Sequence, residues 1–458
     1  MSIILLLPRD DFSGRGYMPP GLTDSPRTEQ TDIVLIMPIR KPDYRARHRA
    51  LSHEAAHAQG DSHSPETIIP QDLPAPRGKP ELIQSDAALI DLLTELRQTG
   101  SFAYDSEFIG ESSYHPRLCL IQVATTTRIA LIDPLSGIDL TPFWKLLADP
   151  SVEKIVHAGA QDIEPVARLF GQPARNVLDT QIMAGFCAMA YPTSLAKLIA
   201  ELTGVSLEKG STLTFWEQRP LSNKQIRYAA DDVRYLPAAA MELKKRLEIT
   251  GHTDWARIEC DLLCDPSNYG FNPETAFEKV RGVGGLEPRE LNVLRELVLW
   301  RDAMAREVDS PARSFLRDEV LIDLSRAMPR KREQLNKIRN LPRPVIDQHA
   351  QTLLVLIERG ASASTDGVQV LRGIEPTPTE RFQADALWTT AQAICIGQSI
   401  DPALVTSSKE ISLLYRHLLD GTDPSDLRIM KSWRKQALAD KLIRVYRDRE
   451  TINFRWPG

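Results

Sequence analysis

The stretch FAYDSEFIGESSYHPRLCLIQV, residues 102–123, contains the residues from which the fold can be worked out. Its apolar runs predict two strands joined by a loop. The first strand carries Asp105 and Glu107, and residues i and i+2 of a strand point to the same face. Two ionised carboxylates this close repel each other unless a cation lies between them. The pair therefore indicates either a divalent-cation site or an edge strand whose acids face solvent.

Strands and helices alternate after this hairpin. EKIVHAG is typical of a strand, whereas SNKQIRYAADDVRYLPAAAMELKKRLEITG has the pattern of a long helix. Residues 80–255 are therefore predicted to form one α/β domain, a mixed sheet covered by helices. Residues 1–79 are rich in Pro, Arg, Ser and Asp and contain a single candidate strand, TDIVLIMPI, so they are predicted to be a disordered extension.

The strand pattern stops after residue 255. Residues 285–366 and 376–455 are two all-helical blocks of similar length, and each begins with a long Trp-bearing helix that contains Trp300 or Trp388. Between them, GASASTDGVQVLRGIEPTPTE has the composition of a linker. Two tandem helical modules are the simplest interpretation.

The composition is that of a soluble multidomain protein. The 458 residues are 42% hydrophobic and 26% charged, with a net charge of −5. Five scattered cysteines indicate a reducing compartment, so we expect a cytoplasmic protein with no membrane partner. Residues 326–343 contain seven basic residues and one acid, and residues 428–449 contain eight basic residues and two acids. These patches predict either phosphate contacts or ordinary solvated helix faces.

Further acids follow in the α/β part. Asp162, in HAGAQD, begins a helix directly after a strand, which is where α/β folds open their crevice. Tyr228 and Asp232 lie one helical turn apart in YAADD. Considered alone, Asp162 is also explained as an acid that the helix dipole favours at a helix N-terminus. The Tyr228–Asp232 pair is likewise explained as part of a half-buried helix face.

The order of these motifs points to a known family. D-x-E on a strand, then H-A-G-x-x-D, then Y-x-x-x-D on a helix resembles the exonuclease motifs of the DEDD superfamily, in its tyrosine branch. The segments ALIDPL, DTQIMAGFC and RPLSNKQIRYAADDVRYL are similar to bacterial ribonuclease D. The resemblance covers about residues 80–455 and implies a ribonuclease H-like mixed sheet followed by two HRDC-like helical modules.

The resemblance also implies an activity. Asp105, Glu107, Asp162 and Asp232 would hold two Mg²⁺ or Mn²⁺ ions, and Tyr228 would position the attacking water. The chain is then expected to be a monomeric 3′–5′ exoribonuclease that trims structured RNA, with tRNA precursors as substrate, and releases 5′-nucleoside monophosphates. A DNA 3′–5′ exonuclease and a catalytically silent RNA-binding scaffold are the alternatives.

Substrate contacts are predicted from position and charge. The candidates are Tyr114, His115 and Arg117 after the acidic strand, His157 in HAGAQD as either a structural or a substrate contact, Arg330, Lys331 and Arg332 in the first helical module, and residues 431–435 in the second. In the segment LTFWEQRP, Phe215 stands before Trp216, where the family usually has an aspartate. The resemblance therefore does not predict the contacts of this loop.

A competing motif lies in the N-terminal extension. HEAAHAQGDSH, residues 53–63, matches the zinc motif of metzincin proteases. Such a domain needs a sheet upstream and a methionine turn downstream, yet no Met occurs between Met37 and Met183. We therefore do not assign a protease site here, although three histidines can bind zinc without a fold.

Overall fold

The computed structural model describes residues 31–36, 72–110, 112–207, 215–366, 376–447 and 450–455. The strands are β1 Thr31–Ile36, β2 Glu81–Ile83, β3 Ser101–Ile109, β4 Arg117–Ala124, β5 Ile129–Ile132, β6 Glu153–Val156, β7 Val177–Asp179 and β8 Glu450–Arg455. The metzincin-like segment and most of the predicted disordered extension lie outside these residues. The candidate strand of that extension forms β1, which pairs in parallel with β8.

Within the described residues, the central sheet has six strands in the order β2-β5-β4-β3-β6-β7. The pairs β3–β4 and β4–β5 are antiparallel, whereas β2–β5, β3–β6 and β6–β7 are parallel. The antiparallel part is the predicted hairpin. The parallel part follows from the helical connections, because a crossover returns the chain in the same direction. This mixed sheet, followed by helical modules, confirms the predicted fold class.

Helices cover both faces of the sheet. Those of the α/β part are α1 Asp86–Thr99, α2 Thr141–Leu147, α3 Ala160–Pro165, α4 Thr180–Gly185, α5 Leu195–Thr203, α6 Asn223–Arg234, α7 Leu236–Thr250 and α8 Thr253–Leu263. Strand β3 shows how alternation divides the core. Tyr104 belongs to the cluster formed with α1 and α2, whereas Ala103 belongs to the cluster formed with α6 and α7. Asp105, two residues after Ala103, therefore faces α6.

The first helical module has a hydrophobic core of its own. Its helices are α9 Pro288–Glu307, α10 Ala312–Phe315, α11 Asp318–Ala327, α12 Arg332–Leu335 and α13 Arg343–Ser362. Helices α9 and α13 approach closely at Gly360, where an added Cβ would lie 2.6 Å from the backbone of Val293. Trp300 is buried in this core, as expected for an apolar helix face.

The second helical module shares its core with the α/β part. Its helices are α14 Pro378–Gly397, α15 Pro402–Val405, α16 Ser408–Asp420, α17 Ser432–Arg434 and α18 Asp440–Tyr446. Trp433 lies 4.8 Å from the ring of Phe186 and stacks at 5.7 Å on Trp255. The buried Arg434 donates a hydrogen bond to Glu259 of α8 at 2.5 Å. The second module is therefore part of the same hydrophobic cluster as helices α4, α7 and α8.

Candidate active site

Strand β3 brings the first two acids to the end of the sheet. Asp105 and Glu107 lie opposite Gln122 and Leu120 of β4, and the register shifts between Glu107 and Phe108. A β-bulge of this kind bends a strand and redirects its side chains. Because β3 pairs with β6 only as far as Ala103, both acids lie beyond the end of β6, where the sheet opens.

The turn after β6 presents Asp162. Ala158 has φ +55°, and a Cβ on Gly159 would lie 2.5 Å from Val156, so the chain turns sharply here. The buried Asp179 holds this turn, since its carboxylate accepts hydrogen bonds from the backbone N–H of Ala158 at 3.1 Å and of Gly159 at 3.0 Å. The same carboxylate caps α4. Sequence reasoning missed this residue, although an Asp between a strand and a helix is a recognisable capping signal.

Helix α6 supplies the remaining two groups. A Ser222–Gln225 capping box starts the helix, and Ala229, Ala230 and Val233 pack it onto the sheet. Tyr228 and Asp232 lie one turn apart, and burial, followed by the charge of Asp232, raises the pKa of the Tyr228 phenol. Tyr228 is 37% exposed, so part of its side chain is accessible to solvent.

The four acids interact strongly. Burial raises the pKa of Asp105 well above its ordinary value, and the charges of Asp162, Asp232 and Glu107 raise it further. Burial, followed by the charges of Asp232 and Asp162, raises the pKa of Glu107 to about 8. Burial and the Asp231 charge raise the pKa of Asp232 to about 7, and burial raises that of Asp162 to about 6. The structure thus brings together all four acids that the sequence predicted.

The arrangement fits a hard divalent cation by its chemistry. In the part of the chain that the structure describes, no three carboxylate, imidazole or thiol groups are already grouped tightly enough to hold a metal ion. Repulsion keeps carboxylates apart, and Ser106 Oγ holds Asp162 by a hydrogen bond to Oδ1 at 2.5 Å. Yet the charges of the other three acids all raise the pKa of Asp105. Carboxylate oxygens are also the preferred ligands of Mg²⁺.

These pKa values predict how stability depends on pH when no cation is present. The folded-state pKa values of Glu107, Asp232 and Asp162 lie above the ordinary values near 4, so folding takes up protons between about pH 4 and pH 8. We therefore expect the free energy of unfolding in EDTA to fall as the pH rises through this window. Urea unfolding at pH 5 and pH 8 measures the difference.

Saturating Mg²⁺ should reduce this pH dependence, because a bound cation stabilises the ionised carboxylates. The variant Glu107→Gln lacks the acid with a pKa near 8, so its stability in EDTA should fall less between pH 7 and pH 8. Stability that rises across the window in EDTA would contradict the assignment.

Tyr114, predicted to contact substrate, instead joins the α/β part to the first helical module. Its hydroxyl donates a hydrogen bond to Asp302 Oδ1 of α9 at 2.6 Å and accepts one from Arg306 Nε at 3.0 Å. Its backbone N–H donates to Asp309 Oδ1 at 3.0 Å, and the Arg306 guanidinium lies 5.0 Å from the centre of its ring. His115 packs edge-on against this ring. Tyr114 therefore links the two domains through its polar atoms, and its substrate contact stays a prediction.

His157 is held on both sides of its ring. Nδ1 lies 3.0 Å from Thr180 Oγ1, and Nε2 lies 3.1 Å from the carbonyl oxygen of Thr193. Of the two roles proposed for His157, the structural one agrees with these contacts, and the substrate contact stays a prediction. In the second basic segment, Arg434 is likewise buried in an ion pair with Glu259.

Arg117 and the three predicted basic contacts of the first helical module are exposed. Arg117 begins β4 opposite Ile109, at the end of the acidic strand. Arg330, Lys331 and Arg332 lie together on the first helical module, and Arg332 pairs with Asp347 at 2.6 Å. An exposed ion pair of this kind is weak, so it leaves the arginine available to a phosphate. The roles of these four residues stay predictions.

The chain is similar to proteins of established families. A family model described as 3′–5′ exonuclease matches residues 80–248, and one described as HRDC domain matches residues 290–357. Ribonuclease D of Gluconacetobacter diazotrophicus is 32% identical, over 80% of this chain and 92% of that protein. Ribonuclease D of Escherichia coli is 31% identical, over 79% of this chain and 97% of that protein.

A solved structure agrees with these matches. The crystal structure of Escherichia coli RNase D superposes on this chain with a TM-score of 0.71. The match is 30% identical in sequence and covers 82% of this chain and 100% of that chain. That protein is described as an exoribonuclease involved in structured RNA processing. The sequence and structural similarities thus cover both the α/β part and the helical modules. The chain therefore belongs to the ribonuclease D family and is a 3′–5′ exoribonuclease.

Proposed function

We propose that this exoribonuclease hydrolyses the terminal phosphodiester at a site formed by Asp105, Glu107, Asp162 and Asp232, which hold two divalent cations. The observation that carries the proposal is the placement of these four acids by β3, the start of α3 and α6 at the open end of the sheet, where the charges of the other three each raise the pKa of Asp105. Bound Mg²⁺ or Mn²⁺ would activate water and stabilise the charge that develops on the leaving 3′-oxygen. The carboxylates supply the anionic oxygens for this site.

Tyr228 positions the attacking water through its phenol. Burial, followed by the charges of Asp232, Glu107 and Asp105, raises the pKa of Tyr228, so the phenol remains protonated at neutral pH. A protonated phenol orients water by hydrogen bonding rather than by removing its proton. The Trp216 ring lies 6.1 Å from the Tyr228 ring and is tilted relative to it.

The proposed substrate is structured RNA with a single-stranded 3′ end, with tRNA precursors as the specific class. The exposed Arg330, Lys331 and Arg332 lie on the first module, where they would contact the phosphates of a folded RNA while its 3′ end enters the cleft. We propose a second helical domain over residues 376–455, a cytoplasmic location and a monomeric state, in line with the expectations from sequence.

A tRNA precursor carrying a 5′ label and a short 3′ trailer tests this function. Stepwise loss of the trailer in Mg²⁺, with arrest near the base-paired stem and no loss in EDTA, is the expected result. A DNA of the same sequence and a 3′-blocked RNA are the controls. Equal rates on DNA would favour the DNA exonuclease alternative, and cleavage of the 3′-blocked RNA would contradict an exonuclease.

Replacing Tyr114 by phenylalanine should lower activity on structured RNA more than on short single-stranded RNA. The change removes the hydroxyl that contacts Asp302 and Arg306, and hydrogen bonds to charged groups contribute roughly 1.5–3 kcal/mol. The first module would then be less firmly oriented relative to the cleft. Initial rates on a six-nucleotide RNA and on a hairpin with a 3′ tail measure the difference.

Tyr415→Phe is the matched control for this variant. The Tyr415 hydroxyl donates to Gln383 within the second module, so its loss should affect both substrates equally. If Tyr114→Phe also slowed both substrates by the same factor, the contact between the domains would have no role in handling structured RNA.

A further inference from the structure

Gln122 lies in the centre of β4, on the face covered by α6. Its side chain is fully buried. Two residues away on either side, Leu120 and Ala124 pack against Ala229 and Ala230 of α6, so Gln122 lies beneath this helix. It is therefore placed between the strand and the helix that carry the catalytic acids.

The amide of Gln122 has no hydrogen-bond partner at either end. Both Nε2 and Oε1 are buried without a hydrogen-bond partner. Among the described residues, the other side chains with an unpaired buried polar atom each have just one such atom. An unpaired buried amide is strongly unfavourable compared with an apolar side chain of the same size. A polar residue at this position is thus not explained by the stability of the fold.

The neighbours of Gln122 identify the group that its amide faces. On one side its partner across the sheet is Leu131, which is apolar. On the other side its partner is Asp105. Residues directly opposite each other in an antiparallel pair have Cβ atoms about 5 Å apart on the same face, which is within reach of a glutamine amide. The α6 side chains in these clusters, Ala229, Ala230 and Val233, are all apolar, so the Asp105 carboxylate is the polar group that the strand pairing places beside Gln122.

We propose that Gln122 is a positioning residue that donates a hydrogen bond from Nε2 to the Asp105 carboxylate when the four acids bind a divalent cation. The hydrogen bond fixes the orientation of this carboxylate and leaves its other oxygen for the ion. Groups that orient a metal ligand in this way typically change metal affinity or activity by about 10- to 100-fold when they are removed. The inference rests on the proposed cation site.

The test is Gln122→Met, which keeps the volume of the side chain and removes both polar atoms. We expect kcat on a short RNA to fall roughly 10- to 100-fold, or the Mg²⁺ concentration for half-maximal rate to rise by a similar factor. The Tm in EDTA should stay the same or rise, since two unpaired polar atoms are lost. The increase in Tm that Mg²⁺ produces should become smaller, which gives a readout independent of turnover.

Leu120→Met is the matched control, because Leu120 occupies the same strand and face opposite Glu107 and is equally buried. It should leave kcat, the Mg²⁺ dependence and the Mg²⁺-induced change in Tm as in the wild type. If Gln122→Met fails to fold, Gln122→Leu is measured by the same criteria.

Two results would overturn the inference. The first is a Gln122→Met enzyme with wild-type kcat, wild-type Mg²⁺ dependence and wild-type stabilisation by Mg²⁺. The second is a fall in the Tm in EDTA with no change in the Mg²⁺ dependence, which would show that Gln122 only supports the fold. Asp105→Asn separates these results from a failure of the site itself. If Asp105→Asn still responds to Mg²⁺, the proposed cation site is wrong, and not only the role of Gln122.

Discussion

Replacing Asp105 by asparagine is expected to abolish Mg²⁺-dependent hydrolysis, with a loss of at least roughly a thousandfold in kcat, because catalytic groups that act as a unit fail together. The amide has nearly the same shape as the carboxylate but carries no charge to hold a cation. Rates of nucleotide release from a short 3′-labelled RNA measure the loss. Retained turnover would refute the assignment of Asp105.

The same variant should stay folded and bind RNA. In EDTA its Tm should be higher than that of the wild type at pH 8, because one of four mutually repelling acids has become neutral. RNA affinity should change little, since phosphate contacts provide most of that energy. Glu164→Gln is the control: this acid lies two residues after Asp162 and forms an ion pair with Arg168 at 2.8 Å, so hydrolysis should persist.

Trp433→Ala should destabilise the nuclease itself, although Trp433 lies in the second helical module. The side chain is 3% exposed and contacts Phe186 and Trp255, and a buried Trp→Ala change costs about 3–5 kcal/mol. It also removes the hydrogen bond from Trp433 Nε1 to Glu259 at 3.1 Å. Hydrolysis of a short single-stranded RNA should therefore be lost at a lower temperature than in the wild type.

Trp300→Ala provides the comparison. Trp300 is 8% exposed and lies in the separate core of the first module, so a similar loss of free energy should be confined to that module. The temperature at which short-RNA hydrolysis is lost should then change little. If the two variants lost activity at the same temperature, the shared core would not be what supports the nuclease.

Local periodicity explains why much of the site could be predicted from sequence. The period of two in a strand places Asp105 and Glu107 on one face, and the helical period places Tyr228 beside Asp232. The position of Asp162 followed from the general rule that α/β folds open at the carboxyl ends of their strands. The structure places these side chains close enough that the charges of the other three acids raise the pKa of Asp105, and those of Asp232, Glu107 and Asp105 raise the pKa of Tyr228.

Contacts between distant segments could not be predicted in this way. Ser106 lies on the opposite face of β3 from Asp105. Strand alternation therefore gave no reason to connect Ser106 with Asp162, yet the Ser106 hydroxyl donates a hydrogen bond to the Asp162 carboxylate. Tyr114 follows the acidic strand closely in sequence, which suggested a substrate contact. Its actual partners, Asp302 and Arg306, lie in another domain. Packing between segments far apart in sequence leaves no local pattern.

The core shared between the α/β part and the second module also affects how the protein is made. During translation, Phe186 and Trp255 leave the ribosome long before Trp433, against which they pack. At roughly 5–20 residues per second, this interval is on the order of ten to forty seconds. Throughout that time the nascent nuclease exposes an apolar surface that a chaperone can bind. A chain released early from a damaged message would lack the segment that covers this surface, so its Phe186 and Trp255 side chains would lose their packing against Trp433.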